Sequence, residues 1–129
     1  MGLDMYLYKK TVVLTKENNV DKIAEEVMYW RKTNHIHKWF VNNVQKGVDD
    51  CGKYYVSEEQ LQELKETCEK VLKKHTLAEK LLPIKAGFFF GGTDYNEYYF
   101  KDIEETLEAL NKILVEGGKT GEFYYQSSW

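Results

Sequence analysis

The sequence is short of the residues that staple or break a fold. Proline occurs once and cysteine twice in 129 residues. Cys51 and Cys68 form no CxxC, and no second cysteine stands at zinc-finger spacing. A disulfide framework is thereby excluded, and two free thiols in a cytosolic compartment are expected. No apolar run approaches the ~18 residues of a transmembrane helix, so no membrane association is expected. The opening MGLDMYLYKK shows no charged leader before a long apolar stretch, as a signal peptide requires. Tyr6 stands where a myristoylation motif needs Ser or Thr. The net charge is −3 with Lys and Arg scattered, so no basic stripe exists for general nucleic-acid binding. GxGxxG, the P-loop and a nucleophile elbow are all missing. Nothing calls for a cofactor.

What is abundant is aromatic. Ten Tyr, six Phe and three Trp make up 15% of the chain, beside 43% hydrophobic and 30% charged residues. That balance belongs to a globular chain, and the length fits a single domain over residues 1–129.

Leu3, Met5 and Leu7 alternate with Asp4, Tyr6 and Tyr8, which predicts a strand with a tyrosine-bearing second face. Residues 15–20 read as a connection. Residues 20–33 are ambiguous between one helix and a strand. Val27, Tyr29 and Arg31 alternate with Met28 and Trp30, favouring a strand over about 25–32 after a short helical turn. Asn34 suits an N-cap for a helix to about Gln45, with Ile36, Phe40 and Val44 on one face and Gly47 ending it. Residues 46–55 carry turn chemistry and read as a loop. Ser57-Glu58-Glu59-Gln60 is a capping box. Leu61, Leu64, Cys68, Val71 and Leu72 continue as its buried stripe. Thr76 to Leu82 predicts a short helix stopped by Pro83. Residues 86–92 (AGFFFGG) read as a buried strand or packed loop, and Asp94 to Glu97 as a turn. Phe100, Ile103, Leu107, Leu110 and Leu114 mark the last helix. EFYYQSSW reads as a terminal strand. The fold class is therefore α+β: a small antiparallel sheet, terminal strands included, packed against about three helices.

Four constellations could carry function. Tyr29, Trp30, Arg31, Asn34, His37 and Trp39 gather at a strand-to-helix junction, where helix N–H groups, an Arg fork and ring faces suit an anionic aromatic ligand such as a nucleotide. Equally, Trp30 and Trp39 could be core residues, Arg31 an ion-pair member and His37 a satisfied boundary residue. His37, Asp49, Asp50 and Cys51 contain zinc-ligand types, yet HxH on a helix sets His35 and His37 about 200° apart. The plainer reading makes Asp49 and Asp50 turn residues and Cys51 a packing residue. The loop from Gly92 to Tyr95 could line a ligand site. Finally, the tyrosine pairs place one ring on each face of any strand they occupy, so about half face outward. If the terminal strands are neighbours, Tyr6, Tyr8, Tyr124 and Trp129 share a surface. The ligand-binding residues expected are therefore Tyr29, Trp30, Arg31, Asn34, His37, Trp39, Tyr95 and Trp129.

Four segments together resemble a family of small bacteriophage and prophage proteins. They are the opening Met1 to Leu7, the stretch Tyr29 to Phe40, the block Gly87-Phe88-Phe89-Phe90-Gly91 before Tyr98-Tyr99-Phe100, and the ending Tyr124 to Trp129. The resemblance spans nearly the whole chain and carries over no catalytic residue. It implies a phage accessory role in the host cytoplasm, with host interaction or anti-defence among its functions. The reading that follows is a non-enzymatic binding protein for a small anionic or aromatic ligand. A protein–protein module that inhibits a host protein is the alternative, and a metal-assisted hydrolase using His37, Asp49 or Asp50, and Cys51 is a further one. A homo-oligomer stays open.

Overall fold

A computed structural model describes residues 2–14, 20–85, 94–117 and 122–129. The AGFFFGG segment and most of the 15–20 connection lie outside the described residues. Strand β1 runs Asp4–Leu14 and β2 runs Val20–Arg31, an antiparallel pair. Helix α1 spans Asn34–Asn43, β3 Lys53–Val56 and α2 Glu58–Lys73. A 3-10 turn at His75–Leu77 leads into the short α3, Ala78–Leu81. Helix α4 covers Glu97–Gly117, and β4, Glu122–Ser128, closes the chain. The strands form one four-stranded sheet in the order β2-β1-β4-β3, each pair antiparallel. The fold class is α+β as the alternation predicted, and the first and last strands are neighbours.

One face of the sheet makes the core. Leu3, Met5, Leu7, Trp30, Phe123 and Tyr125 meet Ile36 and Phe40 of α1, Leu61 and Leu64 of α2, and Ile103 and Leu110 of α4. Phe40 and Tyr125 stack at 3.9 Å and 5°, which fixes α1 on the centre of the sheet.

Residues 20–25 are strand, not a helical turn. The reason is a bulge. Leu7 faces Met28 and Tyr8 faces Glu26, so Val27 is the extra residue. The bulge turns Val27 and Met28 both against the core, while Tyr29 and Arg31 face outward. A period-2 reading that groups Val27 with Tyr29 misses this change of phase.

Other boundaries shift for identifiable reasons. Thr33, not Asn34, takes the N-cap position of α1, and its side chain makes no cap hydrogen bond. Asn34 Oδ1 instead accepts from the Lys85 backbone N–H at 3.1 Å. The helix ends at Asn43, and Lys46 and Gly47 turn the chain with φ of 55° and 83°. The Gly47 N–H bonds the Val41 carbonyl at 2.7 Å, a closure that glycine makes without steric cost. Residues 53–55, expected as loop, pair with β4 together with Val56 as the edge strand β3. The capping box forms as expected: Ser57 Oγ accepts from the Gln60 N–H and Gln60 Oε1 accepts from the Ser57 N–H. Among the described residues no helix is long and apolar enough to cross a membrane.

Candidate functional site

Two regions hold the chemistry-bearing residues, one on each side of the sheet. The outer face follows from strand alternation and register. On it lie Asp4, Tyr6, Tyr8 and Lys10 of β1, Glu26, Tyr29 and Arg31 of β2, Glu122, Tyr124 and Gln126 of β4, and Lys53 and Tyr55 of β3. Every strand contributes a tyrosine. None of Tyr6, Tyr8, Tyr29, Tyr55 or Tyr124 belongs to the core cluster, and Tyr29 and Tyr55 are 43% and 57% exposed.

These rings touch one another. Tyr6 and Tyr8 stack at 5.9 Å, Tyr6 meets Tyr29 at 5.4 Å, and Tyr55 meets Tyr124 edge-on at 5.9 Å. Lys10 Nζ lies 4.5 Å from the Tyr124 ring centre and Lys53 Nζ 5.4 Å from that of Tyr8. Carboxylates hold two hydroxyls. Tyr29 donates to Asp4 Oδ1 at 2.5 Å and Tyr124 to Glu122 Oε2 at 2.9 Å. Those bonds raise both phenol pKa values, since a phenolate would lose the donor and face the carboxylate charge. The result is an aromatic pavement with interleaved charges: Lys10, Arg31 and Lys53 against Asp4, Glu26 and Glu122.

The second region lies on the helix side, centred on Asp49. Oδ1 accepts from His37 Nε2 at 3.0 Å and from Trp129 Nε1 at 3.0 Å, and Oδ2 takes Lys85 Nζ at 2.8 Å. Burial pushes the Asp49 carboxyl up. The Lys85 ammonium, His37 and the Trp129 N–H together outweigh it and leave the pKa below the ordinary value. His37 is wholly buried and its pKa is lowered by that burial, against the pull of Asp49. The ring is therefore neutral at pH 7 and gives its one proton to Asp49. Nδ1 then accepts from the Tyr125 hydroxyl at 2.6 Å.

This Tyr–His–Asp chain has the connectivity of a catalytic relay. Its would-be nucleophile rules that out. Tyr125 is 0% exposed, and burial raises its hydroxyl pKa well above 10.0. The chain is a structural tie between α1, the 49–52 loop and β4.

The expected ligand cluster is thus divided. Tyr29 and Arg31 face the outer surface. Trp30 and Trp39 are core residues, and Trp30 Nε1 donates to Thr106 Oγ1 at 2.8 Å. Asn34, His37 and Trp129 come together with Lys85 and Asp49. Trp129 therefore does not join Tyr6, Tyr8 and Tyr124. Tyr95 sits nearby, its hydroxyl accepting from the Ile84 N–H at 3.2 Å. The metal candidates also separate. Asp50 turns to the Gly52 N–H and the Tyr54 hydroxyl. Among the described residues no group of three His, Cys, Asp or Glu side chains could hold a metal ion.

Sequence reasoning missed Lys85, an ordinary residue after Pro83, and Lys53; it counted Tyr55 among the recognition tyrosines but placed it in a stretch read as loop. The Tyr54-Tyr55 pair is the signal that could have located β3.

No family model matches the chain, and neither a curated protein nor a solved structure matches it.

Proposed function

We propose that the protein is a non-catalytic recognition module whose outer sheet face docks a host protein. The observation that carries this is the pavement of Tyr6, Tyr8, Tyr29, Tyr55 and Tyr124, drawn from all four strands and left outside the core. Tyrosine gives large contact area at low entropic cost and is enriched at interfaces over ordinary surface. The charges beside the rings favour a protein over a nucleic acid. A phosphate backbone would meet Asp4, Glu26 and Glu122 as often as Lys10, Arg31 and Lys53. The resemblance to phage proteins points to a host protein as the partner class.

A photocrosslinking amino acid tests this when placed at Tyr55 on the sheet and at Val115 on α4, which is 86% exposed. Expressed in the host, the position-55 probe is expected to capture one protein stoichiometrically and the position-115 probe none. The Tyr29→Ser/Tyr124→Ser background should abolish capture. Equal capture from both positions, or capture that survives the double substitution, overturns the reading.

A small-ligand reading has its own support in a cleft on the helix side, between the first turns of α1 and α4.

A further inference from the structure

Strand β2 stands at one end of the sheet order. β1 occupies one of its sides, and no described residue pairs with the other. At twelve residues it is about twice the usual strand length. Its phase on the open side follows from β1. The Lys32 N–H bonds the Leu3 carbonyl at 2.7 Å. Bonded and non-bonded positions alternate along an antiparallel pair, so Leu3, Met5, Leu7 and Lys9 turn their backbone groups to β2. The residues opposite Asp4, Tyr6, Tyr8 and Lys10 turn theirs to the open edge. Those residues are Arg31, Tyr29, Glu26 and Ala24, and all four are exposed.

Their spacing is unusual. The bulge at Val27 sets them two, three and two residues apart. A regular strand offers its groups every two residues and falls out of step on one side of the bulge. A strand with the same three-residue step stays in step on both sides. β2 itself is such a strand. Laid antiparallel on a second β2, Arg31 meets Ala24, Tyr29 meets Glu26, and the two bulges face each other at the two-fold axis.

Charge agrees with that register. β2 is acidic at Glu25 and Glu26 and basic at Arg31. The pairing puts Arg31 diagonally beside Glu26 of the second copy, twice by symmetry, and sets no carboxylate opposite another. Bulges and charges are also the devices that blunt an edge against foreign strands. Here both fit one partner.

The helix side of the edge has room for that partner. The Trp30 bond to Thr106 holds α4 beneath β2. Ala109 and Ile113 follow Thr106 on the same face of the helix. The small Ala109 side chain leaves a hollow of about 280 Å³ against Val27, rimmed by Glu25 and Lys112. In this register Met28 of the second copy stands opposite Val27, at the mouth of the hollow.

We propose that the open edge of β2 binds a second copy of this chain, so that two sheets continue as one of eight strands. Both tyrosine faces then lie on the same side. The interface is the strand edge and does not rest on docking at the tyrosine face.

Sedimentation velocity of the full chain over a concentration series tests this. The parent is expected to approach twice the chain mass reversibly. Glu26→Lys should weaken association about tenfold or more, since two attractive diagonals become repulsive. Glu26→Lys/Arg31→Glu restores opposite charges and should recover it. In a Cys51→Ser background, Glu26→Cys/Tyr29→Cys should give a disulfide-linked dimer on mild oxidation, because each cysteine lies opposite its counterpart in the second copy. Ala24→Cys/Glu26→Cys should give none. The cysteine pairs decide the matter if the charge swap fails to fold. Tyr55→Ser/Tyr124→Ser should leave the dimer intact, which separates this interface from the tyrosine face. A chain that stays monomeric at every concentration, association unchanged by Glu26→Lys, a folded charge swap that recovers nothing, or equal crosslinking by both cysteine pairs each overturns the proposal.

Discussion

His37 Nε2 and Asp49 Oδ1 lie 3.0 Å apart, and that bond ties the middle of α1 to the loop that leads into β3. Through the other ring nitrogen the tie extends to Tyr125 in β4. Asp49 also gathers Lys85 and Trp129, so one carboxylate joins parts of the chain from residue 37 to residue 129.

Asp49→Ala should therefore be among the most destabilising polar substitutions in the protein. It deletes the shared acceptor of His37, Lys85 and Trp129. A loss of about 2–4 kcal/mol is expected, since bonds to charged groups contribute about 1.5–3 kcal/mol each and do not add fully. Urea unfolding monitored by tryptophan fluorescence measures it. A change under 0.5 kcal/mol would mean that the tie does not hold the fold.

Thr106→Val should cost about 1–3 kcal/mol although it conserves shape, because it removes the acceptor of the buried Trp30 N–H at 2.8 Å. Thr106→Ser retains a hydroxyl and should recover most of the loss. Equal destabilisation by Val and Ser would assign the effect to packing instead.

The tyrosine pavement should behave in the opposite way. Tyr29→Ser and Tyr55→Ser alter exposed rings outside the core, so each should change stability by less than about 1 kcal/mol. Tyr125→Phe, one residue from Tyr124 but facing the core, should cost about 1–2 kcal/mol. The Phe40 stack would remain in that variant. Thermal melts of the three variants separate a surface kept for binding from one kept for folding.

Where local pattern and global fold agree, the sequence is a reliable guide. The Leu3–Met5–Leu7 alternation, the Ser57 capping box and the α2 and α4 stripes all require only neighbours along the chain. The failures come where the third dimension decides. The Val27 bulge reverses a face and leaves no mark in composition. β3 is four residues long and exists because β4 offers it an edge. The junction from Tyr29 to Trp39 looked like one site because its residues are adjacent. Alternation in β2 sends Trp30 inward and Arg31 outward, which splits it. His35 was weighed only as a metal-ligand partner of His37, because nothing in a sequence distinguishes a satisfied histidine from a buried one with a bare nitrogen.

His35 and Asp102 together set the pH dependence of stability in opposite senses. The folded His35 has a pKa of about 4 against an ordinary 6.5, so between these values the unfolded chain holds a proton that the folded chain lacks. Its contribution weakens as pH falls from 6.5 towards 4. Asp102 works the other way. Its folded pKa of about 6 exceeds the ordinary 3.8, so between these values the folded chain holds the extra proton. That favours folding as pH falls through the same window. The two slopes oppose each other, and the parent protein should show a shallow profile from pH 6 to about 4. Asp102→Asn removes only the second slope, so the variant should lose stability relative to the parent as pH falls below 6. The lowered pKa of His37 steepens the acid side of both profiles alike and cancels in the difference. The depressed Asp49 adds a loss common to both only as pH falls below about 4. Urea midpoints at half-unit steps from pH 7 to 4.5 decide the question. Parallel curves for parent and variant would show that Asp102 is solvated in the folded chain.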